Sequence, residues 1–206
     1  MVAAKPFSVG SRVVDSLPFS QKGDAGQAVA LKASGVDGVA LYLGAANKAL
    51  ADACIAAGLG VFGVTFGGHF DRQAAVNQAQ MLGLPPGTSV FLDYEARADR
   101  SDAGAAADIA LINKWADTVA HAGYVPGIYV APAQPLTSEE LWHLRVVRYW
   151  KGGGRLIDRH GALAEPECGW CMFQMWPSVY FGGVWVDANI TCHDYKDRTV
   201  AMAHAA

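Results

Sequence analysis

Short apolar bursts alternate with longer, alanine-rich stretches along the chain. The bursts fall at 12–17, 38–43, 59–66, 88–95, 125–130, 144–150, 169–176 and 183–190. Each has strand length, and most are continuously apolar, which suits strands buried on both faces. Helical periods occupy about 24–34, 47–57, 71–82, 102–121 and 138–143, with Gly35 and Gly58 as stop signals after the first two. Eight strands separated by helices or loops predict a parallel sheet, because parallel neighbours need a crossover between them. Eight is also the number that a closed barrel requires. The fold expected is therefore α/β: a single (β/α)8 TIM-like barrel over residues 1–206, compact and irregular in its last units, where helical segments run short. A doubly wound open sheet is the competing arrangement. No internal repeat, linker or low-complexity segment divides the chain.

Composition narrows the function classes. Apolar residues make up 52% and charged residues 17%, enough to build a sizeable core. A net charge of −3 and a pI near 6.0 argue against nucleic acid as a partner, since phosphate binding needs a basic surface. No apolar run is long enough to predict a membrane span, and residues 1–8 lack the apolar stretch of a secretory signal. Four cysteines are present, two of them as Cys168-Gly-Trp-Cys171. That spacing suits a redox or half-zinc motif, but it lies late in the chain on a strand-like run and has no second pair. Buried thiols on or beside a barrel strand are the expectation.

The acidic residues carry the chemistry. Active residues of such barrels sit at the C-terminal ends of the strands. Asp15 follows Arg12-Val-Val, Asp93 and Glu95 follow Ser89-Val-Phe-Leu, and Asp187 follows Val184-Trp-Val. A carboxylate within an apolar strand costs several kcal/mol unless it is paired or hydrogen-bonded, so three strands with this feature point to a site. Side chains two apart on a strand share a face. Asp93 and Glu95 are thus expected to project together, with Tyr94 turned away. Two close carboxylates raise the pKa of one, which can then donate a proton to a leaving oxygen while its neighbour supports positive charge. The bland alternative is strand-end acids that cap the next helix or pair with Arg97.

Tyr42, Tyr129, Trp150 and Trp176 fall towards strand ends, where flat rings could stack on sugar faces, and Gln174 shares a face with Trp176. Ordinary barrel core is the competing role for each ring. His69 follows the third strand, and Cys192, His193 and Asp194 follow the eighth; no spacing compels a metal site, and neither metal nor cofactor is expected. Nucleophile-elbow and phosphate-loop signatures are missing.

The order of an Asp on strand one, Asp-x-Glu on strand four and Val-Asp-x-Asn on strand eight resembles the glycoside hydrolase family 25 lysozymes. Gly127-Ile-Tyr129 and Phe173-Gln-Met-Trp176 look like that family's fifth- and seventh-strand signatures. Ala57-Gly-Leu-Gly-Val-Phe-Gly-Val64 and Leu82-Gly-Leu-Pro-Pro-Gly-Thr-Ser-Val-Phe-Leu-Asp93 look closer still to a divergent branch, the glycoside-hydrolase-like domain family of unknown function numbered 1906. The resemblance implies a muramidase-like, peptidoglycan-directed hydrolase of β-1,4 bonds, as in a phage lysin or a wall-remodelling enzyme. Carried over by position, Glu95 is the proton donor, Asp93 orients the acetamido group or stabilises charge, and Asp15 and Asp187 support them. The partner implied is peptidoglycan or a related amino-sugar glycan, met at the bacterial cell wall if the chain is a lysin; otherwise a cytoplasmic place or export by a non-classical route is expected, and the chain is expected to be a monomer. The second reading is a non-catalytic glycan-binding or envelope-associated module that keeps the barrel.

Overall fold

The computed structural model describes residues 1–66, 71–95, 99–132, 134–175 and 177–205. In chain order its elements are β1 (Val2–Pro6), β2 (Arg12–Asp15), α1 (Leu17–Lys22), α2 (Ala25–Ala33), β3 (Gly38–Tyr42), α3 (Lys48–Ala56), β4 (Gly60–Val64), α4 (Arg72–Met81), β5 (Ser89–Tyr94), α5 (Asp102–His121), β6 (Val125–Val130), α6 (Ser138–Trp142), β7 (Arg148–Lys151), β8 (Met172–Gln174), β9 (Val179–Phe181), β10 (Val184–Thr191) and β11 (Ala201–Ala205). Local chemistry sets the helix starts. Asp24, Asn47, Asp71 and Ser101 each accept a backbone N–H of the first turn, and Thr137 with Glu140 forms a reciprocal capping box.

Strands β2 to β8, leaving out the helices between them, pair in parallel from each to the next. Strand β10 lies between β8 and β2 and closes the eight-stranded barrel. It runs antiparallel to both neighbours, which corrects the expectation of an all-parallel sheet. The physical reason is length. A parallel crossover takes roughly a dozen residues or more, and the stretch 175–183 is too short for one. It forms the hairpin strand β9 instead, which pairs with β10 alone. Three other elements are unheralded in the apolar pattern. Helix α1 begins at Leu17, where Ser16 caps it and Pro18 occupies the first turn, and β1 pairs with β11 outside the barrel.

Alternation divides the apolar residues between two layers. Val13, Ala40, Phe62, Phe91, Trp150 and Met172 point inward and pack together. Val14, Val39, Val61, Val90, Leu92 and Ile128 point outward to the helices. That two-sided burial is why the strands read as continuous apolar runs. Inside the barrel, Phe91 packs over Gly127, where any Cβ would come within 2.5 Å of the ring. At the opposite end from the strand C-termini, Val200 and Met202 close the interior. Met202 lies against Gly38, where an added Cβ would meet its sulfur at 2.6 Å, and Ala201 N–H donates to Ser89 Oγ. No helix among the described residues is long and apolar enough to cross a membrane.

Met202 is fully buried, so Met202→Ala leaves a cavity beneath the barrel. It should lower unfolding free energy by about 2–5 kcal/mol in urea titrations. Unchanged stability would show that the C-terminal strand is not part of the core.

Candidate active site

Two residues above the inward apolar layer, the same face of five strands turns polar. Val13 leads to Asp15, Ala40 to Tyr42, Phe91 to Asp93, Gly127 to Tyr129 and Met172 to Gln174. Strand β10 runs the other way, so Asn189 comes first from below and Asp187 lies above it. Asp187 is the direct register partner of Asp15, which puts their Cα atoms about 4.5–5.5 Å apart. The result is one cavity of about 60 Å³ at the C-terminal end of the parallel strands. Asp15, Asp93, Glu95 and Asp187 line it, together with Tyr42, Tyr129, Trp150 and Gln174. Eight of the expected site residues are thereby brought together. Trp176, His69 and Arg97 lie outside the described residues.

The acids differ in their surroundings. Asp15 is buried, accepting from Asn189 Nδ2 at 2.8 Å and from the Tyr42 hydroxyl at 3.1 Å. Burial, and then the charges of Asp187 and Asp93, push its pKa up to about 7, against the lowering effect of those two hydrogen bonds. Near neutral pH it exchanges between its two protonation states. Asp93 is buried, and its backbone N–H donates to Thr65 Oγ1. Asp187 accepts from Gln174 Nε2 at 2.9 Å and from Ser178 Oγ. Glu95, one residue past β5, is exposed at the mouth. Tyr94 turns away as alternation requires, and its hydroxyl donates to Asp108 on α5 at 2.9 Å.

A relay fixes these groups. Tyr129 Oη donates to Gln174 Oε1 at 2.7 Å, and Gln174 in turn donates to Asp187. Burial first, with Asp15 next, raises the Tyr42 and Tyr129 hydroxyls above the usual phenol range, so both act as proton-bearing donors. Trp150 requires a correction. It is 1% exposed, its ring is packed edge-on by Phe62, Phe91 and Tyr129, and its Nε1 donates to Asn189 Oδ1. It forms part of the cavity floor, and a sugar has no access to its face. Two further residues belong to the site: Asn189, which the sequence shows as the end of the Val-Asp-x-Asn motif without a role, and Ser178. Alternation from Asp187 could have found Asn189; Ser178 carries no pattern of its own.

The weaker candidates fall elsewhere. All four cysteines are free thiols, and burial pushes Cys54 up to about 12 and Cys192 up to about 11, far from thiolate chemistry. Asp194 pairs with Arg198 at 2.7 Å, and among the described residues no group of three potential ligands is placed to hold a metal ion. A larger cavity of about 430 Å³ lies beside the mouth, between Leu17, Leu43, Phe66 and Gln78. Its one acid, Asp71, is engaged in capping α4.

A family model described as "Rv2525c-like, glycoside hydrolase-like domain" matches residues 29–154. The matched span holds Asp93 and Glu95; it begins after Asp15 and ends before Asp187. Among solved structures, an uncharacterized B. stearothermophilus protein is 19% identical with a TM-score of 0.64, over 89% of this chain and 96% of that one. GHIP, a glycosyl hydrolase 25 of Streptococcus pneumoniae, is 12% identical with a TM-score of 0.59, covering 88% and 87%. The Clostridium perfringens spore cortex lytic enzyme SleM is 14% identical with a TM-score of 0.58, covering 91% and 69%. At these identities the likeness is one of fold. No curated protein matches the sequence.

The Asp15 shift has a measurable sign. Between the unfolded value of about 3.9 and about 7, the folded chain holds a proton that the unfolded chain has released. Folding stability therefore falls as pH rises through this window and levels off above it. Asp15→Asn removes the charge and keeps the shape. It should be more stable than wild type at pH 8, by on the order of a few kcal/mol, with the gap closing towards pH 4 in urea titrations. A gap independent of pH would contradict the shift.

Proposed function

The chain belongs to the Rv2525c-like, glycoside hydrolase-like domain family, and on that premise we propose that its carboxylate cavity hydrolyses β-1,4 glycosidic bonds of peptidoglycan, with Glu95 as general acid. The observation that carries this reading is the convergence of Asp15, Asp93, Glu95 and Asp187 on one cavity at the barrel mouth. Glycoside cleavage needs an acid that reaches the leaving oxygen and negative groups that stabilise an oxocarbenium-like centre. Glu95 stands at the exposed rim, within reach of a polymer lying across the mouth. Asp93, two residues below it on the same face, and Asp187, held by Gln174 and Ser178, supply the negative surroundings.

In this mechanism Glu95 gives its proton to the glycosidic oxygen as the C1–O bond breaks. Water then adds to C1, and its proton returns to the Glu95 carboxylate. Asp15 sets the electrostatics from below, since its charge changes near neutral pH. The fold shared with a glycosyl hydrolase 25 and with a spore cortex lytic enzyme favours a cell-wall glycan as substrate and the bacterial wall as the place of action.

Turbidity clearing of purified bacterial walls tests the reading. Wild type should clear them, and Glu95→Gln should lose about 100-fold or more in rate while keeping its fold and its binding to walls. Undiminished clearing by Glu95→Gln would remove Glu95 from the acid role. Wall binding without clearing by wild type would favour a glycan-binding module.

A further inference from the structure

The β9–β10 hairpin carries two large aromatic side chains that neither the barrel core nor the carboxylate cavity employs. Tyr180 and Trp185 are 60% and 63% exposed. They are direct cross-strand partners, with ring centroids 5.4 Å apart in an edge-on arrangement at 62°. The other face of the hairpin is spoken for: Val184 and Val186 are buried, and Val179 and Phe181 pack against the same outer core layer.

Alternation along β10 gives this pair its meaning. Trp185 shares a strand face with Asp187 and Asn189, the face that turns into the barrel. Asp187 pairs with Asp15, the last residue of β2. Trp185 therefore stands beyond the barrel rim, about 7 Å along the strand from Asp187. Two contacts hold the hairpin at that height. Ser16 Oγ donates to the Trp185 carbonyl at 2.8 Å, and Ser178, just before β9, donates to Asp187.

Size decides what sits there. The acid cavity holds about 60 Å³, whereas small-molecule pockets run to roughly 300–1,000 Å³. A sugar ring attacked by these acids must therefore lie above the rim, level with the hairpin. Two rings are too small a patch for a protein interface, which buries about 800 Å² per partner. They match the apolar face of one pyranose, and Trp185 stands on the strand and the face that carry Asp187.

We propose that Trp185, braced edge-on by Tyr180, is the stacking platform of a saccharide subsite next to the carboxylates, taking one amino-sugar unit of a glycan strand. The subsite rests on the glycan reading given above, and the test separates the two. Calorimetric titration uses the tetrasaccharide of alternating N-acetylglucosamine and N-acetylmuramic acid, with Glu95→Gln in every protein so that the probe stays intact. Adding Trp185→Ala should weaken binding about tenfold, Trp185→Phe should restore most of it, and the melting temperature should stay unchanged. Equal affinity with and without Trp185 overturns the subsite and leaves the glycan reading standing. If the tetrasaccharide binds to none of the proteins at millimolar concentration, the glycan reading falls and the subsite with it.

Discussion

The polar mouth of this barrel is hydrogen-bonded to its apolar interior through the side chain of Asn189. Its amide nitrogen donates to Asp15, and its oxygen accepts from the indole of Trp150. Trp150 is itself wedged among Phe62, Phe91 and Tyr129, so the most deeply buried of the mouth's acids rests on the inward aromatic layer. A buried carboxylate is tolerable only when its hydrogen bonds are made. Asn189 and Tyr42 make them for Asp15 without supplying a positive charge. The acid stays close to neutral pH in its titration, where an arginine in the same place would hold it ionised.

Reversal of the last barrel strand serves the same end. A parallel β10 would need a crossover that the chain between β8 and β10 is too short to give. Entering from the mouth side, β10 brings Asp187 level with Asp15 and carries its hairpin above the rim. The acids then come from β2, from β5 and the residue just past it, and from β10, and the relay from Tyr129 through Gln174 to Asp187 ties β6, β8 and β10 together. The chain belongs to the Rv2525c-like, glycoside hydrolase-like domain family, and its barrel is similar in fold to the solved structures GHIP and SleM.

Much of this was open to inspection in the sequence. Helix α5 and strand β6 fall on the expected residues, because Ser101 marks the helix start and a continuous apolar run defines the strand. The gathering of acids followed from two rules alone, alternation and the location of strand ends. Strand direction did not, since an apolar period is the same read either way; only the length of the intervening segment could reveal the reversal of β10. Strands β1 and β11 escaped notice because a run such as Ala-Met-Ala-His-Ala lacks the β-branched residues that signal a strand. The burial of Trp150 could not be read from its place near a strand end, which is shared by floor and rim alike.

Coupling among the acids is the central claim, and carboxyl-resolved NMR titration of isotopically labelled protein tests it most directly. Burial, with the charge of Asp187 added to it, puts the Asp15 midpoint near pH 7, and convergence requires that midpoint to fall when Asp187→Asn removes the neighbouring charge. A midpoint near the ordinary value of about 3.9, indifferent to Asp187, would mean that the acids do not share a site.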